Sequence, residues 1–309
     1  MILGPRPYHR VVGRQWRDFS VERPITPADY AQPYAWWGWH WSSPVPMSIV
    51  EIADAGTLHP RVAALLWLLV GSRRSIVLAS EPPMSGKTTL LSALVAFLSP
   101  DTQPVFLRGL SETFDYTHSV DPAKGYLLVN ELSSHLPVYL WGVKATRMFR
   151  TLADGFGLAT TMHADGAGEV LAQLQSELDL TAKDLGRIDA IGIMRTLVGG
   201  TAITGHDDVP PEMRYGREAI RRRLVALHLV ARKGDTIDTP ILSEWDPTPD
   251  EHRLSLDPHL DDLARRTGRS VTDLCDALLQ RETFLSQLSE RGVHRPTAVR
   301  DAIAAYRGA

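Results

Sequence analysis

A chain of 309 residues, 44% hydrophobic and 22% charged, carries enough apolar mass for one large or two ordinary soluble domains. Its 33 Lys and Arg against 36 Asp and Glu give a formal charge of −3, which excludes a global basic field of the kind that collects nucleic acid. One cysteine, Cys275, excludes an internal disulfide and a multi-cysteine zinc site.

Residues 1–45 are rich in proline and tryptophan, and the stretch YAWWGWHW ends at Trp41. Trp37, Trp39 and Trp41 alternate, so an extended arm packed on the main domain is expected there, with carbohydrate or partner binding by the cluster as the alternative. The opening MILGPRPYHRVVGRQWRDF lacks an apolar core of signal-peptide length, and the longest apolar stretch, Val62 to Val70, is too short to span a bilayer. A cytoplasmic protein is expected, peripheral to the membrane only through partners.

Pro60 suits the first turn of a helix that runs through VAALLWLLV to Gly71. Short apolar runs then recur at Ile76 to Ala79, Val105 to Leu107, Tyr126 to Val129 and Leu158 to Met162, each bounded by breakers, and the stretch Ile188 to Leu197 follows. That pattern predicts buried parallel strands alternating with helices, an α/β sheet of nucleotide-binding type. The segment RRRLVALHLVARKGDTIDTPILSEWD predicts a β-hairpin turning near Gly234. Beyond it, Asp257 is expected to cap a helix ended by Gly268, and Ser270 another that runs to about Gly292. Cys275 falls in the apolar pattern of the latter, where a buried structural thiol is expected. The chain therefore divides into an arm (1–45), an α/β domain (46–256) and a small helical appendage (257–309).

Between the first strand and its helix lies SEPPMSGKTTLL, Ser80 to Leu91. Its second half has the chemistry of a phosphate loop: amides of Ser85, Gly86, Lys87, Thr88 and Thr89 at a helix N-terminus, a lysine for the β- and γ-phosphates, and a Thr88 hydroxyl for Mg²⁺. Its first half departs from that chemistry. Pro82 and Pro83 have no N–H to donate, and Glu81 brings a negative charge where glycine is usual. Glu131, at the end of YLLVNEL, and His163, at the end of LATTMHAD, reach the sheet edge where such folds place ligands. Glu131 suits orienting Mg²⁺ or polarising a water, and His163 suits sensing a γ-phosphate.

Taken together and in order, GTLHPRVAALLWLLVGSRRSIVLASEPPMSGKTTLLSALVAFL, YLLVNEL, GFGLATTMHADGAGEVLAQL and EWDPTPDEHRLS resemble the secretion superfamily ATPases, over residues from about 46 to 292. The branch most alike is the archaeal-type motors for archaella and type IV pili, with the tight-adherence pilus ATPases. The resemblance implies a RecA-like P-loop domain and ATP with Mg²⁺ as cofactors. It implies hexamers with nucleotide between subunits and hydrolysis that drives pilin assembly or secretion on a polytopic membrane platform protein. Lys87 and Thr88 match the Walker A pair, Glu131 the Walker B glutamate and His163 the His-box histidine, with Thr88 and Glu131 on the metal side. No nucleic-acid partner is implied.

This chain also departs from the family. Asn130 precedes Glu131 where the family has glycine, and the arginine soon after that glutamate is missing. Glu112 and Asp115 are the candidates left for the Asp box, and Glu112 lies only 19 residues before Glu131. Arg147, Arg150 or the run Arg221, Arg222 and Arg223 are candidate substitutes for the missing arginines, though a solvated basic face also explains the run. Two functions follow as expectations. One is an active ATPase motor subunit; the other is a catalytically weak or inactive paralogue that binds nucleotide, or none, and co-assembles with or regulates a full-length motor.

Overall fold

The computed structural model describes residues 26–33, 36, 46–81, 85–136, 139–198, 201–203 and 220–308. Trp37, Trp39, Trp41, Pro82 and Pro83 lie outside them.

Helix α1 (Ile49–Asp54) opens with a capping box, in which the Ser48 hydroxyl accepts from the Glu51 amide and the Glu51 carboxylate accepts from the Ser48 amide. Helix α2 (Pro60–Gly71) has the bounds its sequence predicts, and every residue from Val62 to Val70 is buried. A helix that is apolar on all sides belongs inside a core. The chain then alternates through β1 (Ile76–Ala79), α3 (Lys87–Leu94), β2 (Gln103–Leu107), β3 (Gly125–Leu132), α4 (Gly142–Thr151), β4 (Gly157–Met162), α5 (Ala167–Leu178), α6 (Ala182–Leu185) and β5 (Ala190–Val198). Strand β6 (Thr201–Ile203) folds back on the end of β5.

Strands β7 (Ile220–Leu229) and β10 (Ile241–Asp246) form the predicted hairpin, with β8 (Ala231–Lys233) and β9 (Thr236–Asp238) as its tip around Gly234. Strand β11 (Glu251–Leu254) completes the edge.

Among the described residues nine strands make one sheet, ordered β11-β10-β7-β5-β1-β4-β3-β2 with β6 on β5. The five from β5 to β2 are parallel, and the hairpin extends them in antiparallel fashion. The fold is thus α/β, a mostly parallel sheet flanked by helices. Alternation along each strand feeds two cores. Ile76, Leu78, Tyr126, Leu128, Ala159 and Met194 pack with α1, α2 and α3; Val77, Ala79, Leu127, Val129, Leu158 and Met162 pack with α4 and α5.

That two-sided arrangement locates the site. Strands β1 and β4 are neighbours, yet the helix after β1 packs on one face and the helix after β4 on the other. Loops leaving adjacent strands in opposite directions open a crevice at the carboxyl edge, where open α/β sheets bind ligands. Two bulges tune this edge. In β3 one extra residue sits between Val129 and Leu132, spanning Asn130 and Glu131. In β7 one extra residue, Val225, sits opposite the step from Ile193 to Met194.

Three helices follow: α7 (Leu260–Thr267), α8 (Val271–Glu290) and α9 (Pro296–Gly308). They share the core of α2, where Trp67 stacks on Phe97 at 5.1 Å and meets Phe284 and Tyr306 edge-on. The Arg307 guanidinium lies over Trp67 and donates to the Phe97 and Leu98 carbonyls. At the opposite sheet edge Asp189 accepts from the Ser75 amide and pairs with Arg266 at 2.9 Å. Burial raises the Asp189 carboxyl, and Arg266 opposes that rise.

Two local expectations are corrected. Asp257 does not cap α7; it opens a short 3-10 turn, Asp257–His259, that leads into the helix. Gly268, in the left-handed region at φ 67°, ends α7 as predicted. Ser270 caps α8 by accepting from the Asp273 amide. Cys275 is exposed, because α8 buries Leu274, Leu278, Leu285 and Leu288 and places Cys275 one position off that stripe.

Candidate functional site

The loop of interest joins β1 to α3. Gly86 precedes the helix with φ 91°, a left-handed conformation that glycine adopts without strain, so the chain turns sharply and points the first α3 amides out of the helix end. Lys87 is buried and its ammonium donates to the Ser80 carbonyl at 2.8 Å. Burial pulls its pKa down, against the raising pull of Glu131 and Glu81. Thr88 and Thr89 are half-buried on the first turn.

Strand β3 brings Glu131 to the same edge, buried at 7% exposure. The bulge resets the strand's alternation there: Val129 and Leu132, three apart, both face the α4 and α5 core, so Glu131 is released from the regular pattern. Strand β4 ends at Met162, and His163 follows it. His163 Nε2 stands 2.6 Å from Glu131 Oε1 as an ion-pair contact without the directionality of a hydrogen bond. Its Nδ1 lies 2.9 Å from the Glu81 carbonyl, so both ring nitrogens face acceptors. The Tyr139 hydroxyl also bonds Glu131, and burial together with that carboxylate raises the phenol pKa. Lys87, Glu131, His163 and the backbone of Glu81 therefore meet in one crevice between β1, β4 and β3.

Glu112, after β2, belongs elsewhere. Its Oε1 accepts from the Tyr30 hydroxyl and the Phe114 amide, both at 2.6 Å, and its Oε2 from the Arg108 amide at 3.1 Å. Arg108 in turn donates to the Asp29 and Gln32 carbonyls, tying the short turn Pro27–Ala31 over the edge strand β2. Trp36 adds to this strap, buried against Phe106 with its indole N–H on the Leu128 carbonyl at 2.9 Å. Asp115 accepts from Thr113, Arg147 lies over the Phe114 ring, and Arg150 is exposed.

Several residues enter the site that sequence reasoning did not single out. Gln173 on α5 donates to the His163 carbonyl at 2.9 Å and fixes the backbone there. Arg195 pairs with Asp165 at 3.1 Å just beyond His163, and burial raises the Asp165 carboxyl despite that arginine. The arginine run is not a uniform solvated face. Arg223 is buried and grips Asp250 with two bonds of 2.7 Å, Arg221 is exposed near the same carboxylate, and the Arg222 side chain lies over Gly86. The hydroxyl oxygens of Ser80, Ser85 and Thr196 are buried without a hydrogen-bond partner among the described residues. Buried polar atoms left in this state mark a place where a polar group is expected.

Such an edge can bind an anion at the α3 N-terminus, balance it with Lys87, and hold a carboxylate–histidine pair beside it. No cluster of three or more metal-ligating side chains occurs among the described residues. A hard cation would thus take most of its ligands from an oxyanion, as Mg²⁺ commonly does.

No known family profile matches the chain. It is similar to two uncharacterised proteins of Methanocaldococcus jannaschii. One is 23% identical over 295 residues, covering 85% of this chain and 49% of the relative; the other is 26% identical over 261 residues, covering 77% and 90%. The chain thus spans about half the length of the first of these relatives. No helix among the described residues is long and apolar enough to cross a membrane.

Proposed function

We propose that the chain is a RecA-like P-loop ATPase subunit of the secretion superfamily kind, binding ATP with Mg²⁺ and hydrolysing it to drive pilin assembly or secretion. The observation that carries this reading is the convergence of Lys87, Glu131 and His163 at the β1–β4 crevice, with Lys87 parked on a backbone carbonyl at 2.8 Å. A buried lysine held by a neutral acceptor is ready to exchange that partner for a phosphate oxygen, which is the stronger, charge-assisted contact. The amides of Ser85, Gly86, Lys87, Thr88 and Thr89 then cradle the phosphates. The Thr88 hydroxyl and Glu131 would hold Mg²⁺, which would supply charge neutralisation at the phosphates. Glu131 orients the attacking water and His163 contacts the γ-phosphate side. The hexameric ring, the membrane platform protein and the cytoplasmic, membrane-peripheral location belong to the same proposal.

A second reading has its own support. His163 is already held by the Glu81 carbonyl, and Glu112 is spent on structure, which favours a partner subunit with slow turnover beside a full-length motor. One experiment separates the two: ATP binding and phosphate release for the wild type, Lys87→Ala and Glu131→Gln, with oligomeric mass recorded in each nucleotide state. The motor reading expects wild-type turnover at least about 100-fold above Glu131→Gln, and Lys87→Ala unable to bind. Wild type that binds ATP but releases phosphate no faster than Glu131→Gln leaves only the partner reading. Wild type that binds no nucleotide removes the motor reading.

A further inference from the structure

The described face of the loop opposite Glu131 and His163 is built by β5 and β7. A Cβ placed on Gly86 would stand 3.0 Å from Arg222 Cδ, 3.7 Å from its Nε and 3.7 Å from Met194 Cε. The aliphatic stem of Arg222 therefore packs on the glycine that starts α3, and its guanidinium begins within reach of the helix end. Cross-strand register puts Arg222 opposite Thr196, whose hydroxyl is buried without a partner, as is that of Ser85 next to Gly86. An arginine seated on a loop glycine beside two unsatisfied hydroxyls is the arrangement expected around an oxyanion.

We propose that Arg222 is a second cation of this site, supplied by the same subunit, that grips the α- and β-phosphates of a bound nucleotide. The proposal rests on the nucleotide-binding reading above and adds a residue and a side to it. Lys87, beside Glu131 and His163, serves the β- and γ-phosphates from the β4 side. Arg222 comes over Gly86 from the β7 side, where the remaining phosphates of a nucleotide lying across the loop would run. Of the three arginines in the run, Arg222 is the one that lies on Gly86; Arg223 meets Asp250 and the Ala55 carbonyl, and Arg221 points to Asp250. Because the α- and β-phosphates are common to ATP and ADP, Arg222 strengthens both alike and leaves discrimination between them to the γ-phosphate side.

Calorimetric titration of the full chain with MgATP and with MgADP tests this, using Arg222→Met, which keeps the stem on Gly86 and removes the charge. Arg222→Lys serves as the charge-restoring variant and Arg221→Gln as the neighbour control. The expected result is a loss of about 10- to 100-fold for both nucleotides in Arg222→Met, with the ATP-to-ADP ratio unchanged. Arg222→Lys should recover part of it, Arg221→Gln should match wild type, and the melting temperatures without nucleotide should all agree. Wild type that binds both nucleotides while Arg222→Met binds them within twofold of it overturns the proposal, as does a loss confined to ATP. If Arg222→Met melts early, Arg222→Lys against Arg221→Gln decides by the same criterion. Wild type that binds neither nucleotide is a different result, the failure of the nucleotide reading itself.

Discussion

Two glutamates stand at the carboxyl ends of neighbouring strands of the same sheet, one beyond β2 and one within the end of β3, and their surroundings are opposite. Glu112, after β2, is saturated by two backbone amides and the Tyr30 hydroxyl and pins the strap over the sheet edge. Glu131, on the β3 bulge, is equally buried but has one oxygen in ion-pair contact with a histidine and without a directed hydrogen bond. A carboxylate whose lone pairs are all used by the fold stabilises the fold. One held in incomplete geometry has bonding capacity left for a ligand or a water. Position in the chain does not tell these two apart; the donors around them do.

The largest test of that contrast exchanges the two residues' signatures. Glu131→Gln should lower phosphate release by about 100-fold or more while leaving the denaturation midpoint near wild type. Glu112→Ala should do the reverse, removing about 3 kcal/mol of stability because two buried amides and a phenol lose their acceptor; urea denaturation reads it. If Glu112→Ala unfolds no earlier than wild type, the structural role assigned to Glu112 is wrong. Tyr30→Phe, which deletes one of those donors, should cost about 1 kcal/mol in the same assay and release the strap to protease before the sheet unfolds.

Acid provides a smaller and signed effect on the hairpin side of the sheet. Asp250 is pulled down to about 2, chiefly by its hydrogen bonds from Arg223 and also from Trp245. Its folded pKa lies below the unfolded value of about 3.9, so its contribution is whole above pH 4 and is lost as pH falls toward 2. Since the side chain is 37% exposed, solvent screening limits the amount to about 1 kcal/mol. Asp250→Asn should flatten that part of the stability profile between pH 4 and 2; an unchanged slope would show the pair to be energetically silent. The smallest expected change is at Cys275. Its exposed thiol should react with a thiol reagent in the native protein, and Cys275→Ser should shift stability by less than about 0.5 kcal/mol.

Much of the sheet was legible because burial on both faces leaves unbroken apolar runs: β1 is found at the predicted residues, and β2 to β4 within a few residues of theirs. Helix α2 was legible from its proline and its all-apolar composition. Lys87 was legible from the SGKTT pattern and Glu131 and His163 as residues at strand ends, and the structure places them in one crevice. What escaped was what depends on phase. The arginine run carries three identical side chains, and only the pairing of β7 with β5 assigns one to the loop and another to Asp250. Cys275 sits one step from Leu274 on α8, and a single helical step moves a side chain by about 100°, from core to solvent. Glu112 reads as a candidate acid because its partners, Tyr30 and the Arg108 and Phe114 amides, converge only in three dimensions. Trp37, Trp39 and Trp41 lie outside the described residues, and Trp36 alone shows its packing against Phe106.

The bulge at Val225 has a consequence for how such a chain can change. It sets Met194 opposite Leu224 and Thr196 opposite Arg222. Were the same residues paired without the bulge, Met194 would face Val225, Arg223 would stand opposite Thr196 and Arg222 would turn toward the far face, although every arginine remains in the sequence. The charge that meets the loop is thus selected by a count of residues rather than by their identity. A change of pairing there would act as a switch of address with no arginine altered.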